Sequence, residues 1–91
     1  MLVEDPQAVF DDFAHQARNY LDAPGVMAAL ELDKLCSRLA PMVARLLKNN
    51  RLSNQIRDFG RGLPRKEVDE LRLLLEDIFA EAQAAGLNLP D

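Results

Sequence analysis

Apolar residues in this chain recur at intervals of three and four, in segments separated by proline, glycine and asparagine. That spacing places them on single faces of helices and leaves little room for strands. Threonine is absent, and valine and isoleucine are few, so β-branched residues could not furnish a sheet. Hydrophobic residues make up 48% and charged residues 29% of the 91 residues, a balance that suits one folded domain over residues 1–91. The predicted fold is all-α: a small up-and-down bundle of three to four helices.

The first helix is predicted over about 6–22. Asp5 can cap it, and Pro6 fits the first helical position, where a missing N–H costs nothing. Phe10, Phe13, Ala14, Ala17, Tyr20 and Leu21 share its apolar face. Asp22-Ala23-Pro24-Gly25 ends it. The second helix is predicted over about 26–48, with Leu32, Leu35, Leu39, Met42, Val43, Leu46 and Leu47 facing the core. Pro41 should kink or break it near residues 37–41, because proline removes a backbone donor and crowds the carbonyl four residues back.

The apolar phase then shifts. On an ideal wheel, Leu52, Ile56 and Phe59 fall nearly opposite the Leu32–Leu47 set. Asn49-Asn50 is the natural breakpoint, and a short third helix is expected over about 51–59, capped by Asn50 or Ser53 and ended by Gly60. The alternative is one long helix with a second face for a partner. The last helix is predicted over about 64–85, with Val68, Leu71, Leu74, Leu75, Ile78, Phe79 and Ala82 inward. Gly86 would take the left-handed position after it, with Leu87 folding back. Leu89-Pro90-Asp91 reads as a tail. The last helix and the first part of the second should supply most of the core, covered by the first helix.

Charge is sorted into three blocks. Residues 1–33 sum to −6, residues 34–66 to +8 and residues 67–91 to −6, giving the net −4. Lys34, Arg38, Arg45 and Lys48 lie within about 80° of one another on a helix, and Arg51, Arg57, Arg61, Arg65 and Lys66 extend the positive region. Such a block suits an acidic protein partner, or phosphates if the chain binds nucleic acid through residues 34–66. It could also simply neighbour the acidic helices, where exposed pairs contribute only about 0–1 kcal/mol each. Nucleic acid ranks below protein as a partner. The chain is acidic overall, only Phe59 could stack on a base, and no nucleic-acid-binding motif is present.

No pattern supports catalysis, a cofactor or a metal. His15 is the sole histidine and pairs at helical spacing only with Asp11, short of a ligand set. Cys36, the sole cysteine, cannot form an internal disulfide and reads as a small core residue. Gly60-Arg61-Gly62 lacks the context of a phosphate loop. Apolar runs are too short to span a membrane, and acids near the N-terminus replace the positive charge of a signal peptide. A cytoplasmic setting is therefore expected.

The expected function is a non-enzymatic protein–protein interaction module of the regulator, adaptor or chaperone type. The expected partner surface comprises Arg45, Lys48, Arg51, Leu52, Gln55, Ile56, Arg57, Phe59, Arg61 and Arg65, facing an acidic protein or, as a homodimer, a second copy. Leu73 is expected on the polar side of the last helix, flanked by Asp69, Glu76 and Asp77.

Overall fold

The computed structural model describes residues 5–89. Four helices follow in order: α1 (Pro6–Asp22), α2 (Val26–Leu46), α3 (Asn50–Gly62) and α4 (Val68–Ala84). No strand occurs among the described residues. Each helix packs on the next, and α4 returns to α1. The helices thus form a closed ring in section, with α2 and α4 diagonally opposed. The first four residues, and the expected tail at Pro90 and Asp91, lie outside the described residues.

The start of α1 matches its sequence logic. The Asp5 carboxylate accepts from the Gln7 N–H at 3.0 Å, and Pro6 follows it. The inward face buries Phe10, Phe13, Ala14 and Ala17 completely. Phe10 meets Phe79 edge-on at 5.8 Å and Phe13 meets Phe59 edge-on at 5.7 Å, so aromatic contacts join α1 to both α4 and α3. Such pairs add about 0.5–1.5 kcal/mol each beyond area burial.

The phase shift after α2 is resolved by a turn. Lys48 adopts φ 53°, which costs a residue with a Cβ roughly 1–2 kcal/mol. The turn re-aims α3 so that Leu52, Ile56 and Phe59 are fully buried. Burying three such side chains contributes about 1.5–3 kcal/mol each, which outweighs the strained residue. The single long helix is therefore excluded. Asn49, rather than Asn50 or Ser53, caps α3 by accepting from the Leu52 N–H at 3.0 Å. Ser53 instead donates to the Ala40 carbonyl at 2.7 Å.

Three expectations are corrected. Helix α2 runs unbroken through Pro41 and ends at Leu46 rather than at residue 48. Pro41 is solvent-exposed, so the carbonyl it orphans at Ser37 can be hydrated. Gly60 does not end α3, which continues to Gly62. Gly60 is a contact point: a Cβ there would lie 3.0 Å from Cys36 Cβ on α2, so its missing side chain lets the helices cross closely. Helix α4 begins at Val68, not near Pro64, because Arg65 and Lys66 both donate their N–H to the Gly62 carbonyl in a tight turn.

The close of α4 is as expected. Gly86 has φ 98°, its N–H bonds the Gln83 carbonyl, and the Leu87 N–H bonds the Ala82 carbonyl. This is the Schellman pattern, with Leu87 buried. The following residue is tied to α1, since the Gln7 amide both donates to the Asn88 carbonyl at 2.7 Å and accepts from its N–H at 2.8 Å.

Core composition also differs from expectation in two places: Leu46, expected on the inward face of α2, is 48% exposed, and the start of α2 adds little to the core. The first turns of α2 contribute nothing fully buried before Leu32. Val26, Met27 and Leu30 are 77%, 72% and 52% exposed. No helix among the described residues is long and apolar enough to cross a membrane.

Candidate interaction surface

The exposure of Val26, Met27 and Leu30 has a simple cause. At 100° per residue they centre about 160° away from Leu32, Cys36, Leu39 and Val43 on the same helix. Unlike Leu52, Ile56 and Phe59, they have no intervening turn to re-aim them. A continuous helix must leave one of the two sets in water.

Val26 and Leu30, with Ala29, form one wall of an apolar groove of about 510 Å³ between the start of α2 and the end of α3, and Met27 is not part of its lining. Its floor and opposite wall include Tyr20, Leu63 and Pro64, with Arg61 and Asp33 at the edge. The floor is fixed by the Tyr20 hydroxyl, which donates to the Leu63 carbonyl at 2.9 Å. The Gly60 crossing sets the depth, since α3 lies against Cys36 there.

A shallower recess of about 190 Å³ continues along the same helix pair, lined by Asp33, Cys36, Ser37, Pro41, Arg57 and Arg61. Asp33 and Arg61 border both hollows. The two therefore make one track, apolar at the α2 start and basic along α3. Arg57 and Arg61 are one helical turn apart and both exposed. Neither makes an ion pair within 4.0 Å among the described residues, and the same is true of Arg65 and Lys66.

Cys36 lies beneath this track and is 1% exposed. Burial pushes its thiol up to about 12, the nearby Asp33 carboxylate adds to the rise, and hydrogen bonding to the Gly60 backbone opposes it. A thiol held protonated in this way is neither a nucleophile nor a metal ligand at neutral pH. No group of three or more metal-ligating side chains occurs among the described residues, and His15 is exposed.

The expected partner residues divide into three sets. Leu52, Ile56 and Phe59 are core residues and cannot form a docking surface, because the turn at Lys48 directs them inward. Arg45, Lys48 and Arg51 are exposed at the opposite end of α3 from the groove. There Arg51 pairs with Glu81 at 3.5 Å, beside a polar hollow of about 520 Å³ that includes Lys48 and Ala84. Only Arg57 and Arg61 line the track, and both are exposed; Arg65 is exposed in the turn after α3. Gln55 is half-buried, and its Oε1 is buried without a hydrogen-bond partner. The expected surface is thus split by about 15 Å, the rise from Arg51 to Arg61.

Sequence reasoning missed Val26, Met27 and Leu30. The signal was available, because the phase test that separates Leu52–Phe59 from α2 also separates these three from Leu32. Comparison with known protein families, curated proteins and solved structures returned no match.

Proposed function

We propose that this chain is a non-enzymatic interaction module, of the regulator, adaptor or chaperone type, that works in the cytoplasm by binding an acidic protein segment on the α2–α3 track. The observation that carries this reading is the union of an apolar groove walled by the exposed Val26 and Leu30 and two neighbouring arginines that make no ion pair among the described residues. Apolar side chains of the partner would supply affinity by leaving water. The arginines would speed encounter and select acidic partners, an effect that weakens with salt.

The groove is lined mainly by apolar side chains, with Asp33 and Arg61 at its edge and the Tyr20 hydroxyl committed to the Leu63 carbonyl, which favours binding over catalysis. The test is affinity capture from an extract of the native cell, treated with nuclease, at low and high salt. Wild-type protein should retain a protein partner that Arg57→Glu/Arg61→Glu loses, with helicity and melting temperature nearly unchanged. Equal capture by both would refute the assignment of the site.

A further inference from the structure

We infer that a second copy of this chain is one occupant of the α2–α3 track, docking the outer face of α4 through Leu73. Leu73 is 64% exposed. It sits at helical spacing among Asp69, Glu70, Glu76 and Asp77, all exposed, with Arg72 the one base beside it. None of these acids makes an ion pair among the described residues. The α4 face therefore presents a single apolar side chain inside an acidic ring.

The track presents the converse, an apolar hollow beside Arg57 and Arg61, with Asp33 as the acid at its edge. Among the described residues, neither set of charges is paired within one molecule. Arg57 and Arg61 line the side of α3 that faces α2, whereas α3 meets α4 from its other flank, where Arg51 pairs with Glu81. Meeting between two copies satisfies both. Leu73 enters the hollow walled by Val26 and Leu30, and the surrounding carboxylates reach the arginines.

The contact joins different patches on the two copies, so it is heterologous. It extends into a chain or closes into a ring, according to the rotation between copies. Small, charge-steered contacts of this kind belong to the weak, transient class of interface, below about 1,200 Å² of total buried area. The inference rests on the track being the binding surface.

Sedimentation equilibrium of the full chain tests it, over a wide concentration range at low salt and again at about 1 M salt, where charge interactions are screened beyond about 3 Å. The wild type should self-associate at low salt and dissociate at high salt. Leu30→Asp and Leu73→Asp each alter an exposed residue, so circular dichroism should show both folded. Each alone should weaken association at least about tenfold, because an unpaired carboxylate would face an apolar wall. An equimolar mixture of the two should associate again, since one variant keeps an intact track and the other an intact α4 face.

Failure of the mixture to associate, or association insensitive to both variants, overturns the inference. A concentration-independent monomer at low salt also overturns it. If Arg57→Glu/Arg61→Glu nevertheless still abolishes capture from the extract, the track stands as a binding surface and its occupant is another protein.

Discussion

Alanine at Gly60 should destabilise this bundle, whereas alanine two residues on, at Gly62, should stabilise it. A Cβ at Gly60 would lie 2.9 Å from Asp33 Oδ1, 3.0 Å from Cys36 Cβ and 3.2 Å from Cys36 Sγ. The exposed Asp33 carboxylate can rotate away. Cys36 Cβ cannot, because it is fixed to the backbone of α2, so the helices must part by a few tenths of an ångström. Overpacking of this kind costs about 1–3 kcal/mol. Alanine in a helix interior returns about 1 kcal/mol relative to glycine. The net loss is about 0–2 kcal/mol, or up to about 10 °C in melting temperature for a domain this size.

At Gly62 the added Cβ would meet only the far end of the Lys66 side chain, Cδ at 2.9 Å and Nζ at 3.3 Å. That chain can swing into solvent. Gly62 has no positive φ, so Gly62→Ala should gain about 0.4–1 kcal/mol by restricting the unfolded chain. Urea unfolding followed by far-ultraviolet circular dichroism measures both variants against the wild type, with unchanged m-values as the check on comparability. If Gly60→Ala is as stable as Gly62→Ala, the close crossing of α2 and α3 is wrong.

Two further outcomes follow from the same helix pair. Pro41→Ala should raise stability by about 1–3 kcal/mol, because it restores an N–H for the Ser37 carbonyl at an exposed site where little packing is lost; a fall in urea midpoint would show that the course of α2 depends on the proline. The Cys36 thiol should resist alkylation until the protein unfolds. Above its ordinary value of 9.0, the unfolded thiol loses its proton while the folded one keeps it until about 12. Stability should therefore fall between pH 9 and 12, by about 1.4 kcal/mol per pH unit from this group. Cys36→Ala should lack that component, and parallel pH profiles for the two proteins would contradict the burial of the thiol.

The helical class and three helix ends were legible in the sequence, because local chemistry decides them. Asp5-Pro6, the Asp22–Gly25 stop and Gly86-Leu87 each act within a few residues. What escaped depended on partners distant in sequence. Gly60 reads locally as a helix stop, but the approach of Cys36 from another helix makes it a packing position. Pro41 reads as a kink or a break, and only the break is excluded, since α2 stays one helix where the proline faces solvent.

The site was half legible for a related reason. A change of apolar phase marks a conflict between one helix and one core, but the sequence does not say how the conflict is resolved. After α2 a turn resolved it, and Leu52, Ile56 and Phe59 went inward. Within α2 no turn intervenes, so Val26, Met27 and Leu30 stayed outside. Charge alone could not tell the groove end of α3 from the far end, because Arg51 and Arg61 differ only in what surrounds them.

That distinction provides the most direct measurement. Capture from the native cell extract should be compared between two charge reversals at opposite ends of the basic block, Arg57→Glu/Arg61→Glu and Arg45→Glu/Lys48→Glu. Both alter net charge equally, so long-range electrostatics is matched. The α2–α3 track predicts that the first pair loses the partner and the second retains it at moderate salt. Loss by the second pair with retention by the first would place the interaction at the other end of the bundle and contradict the account.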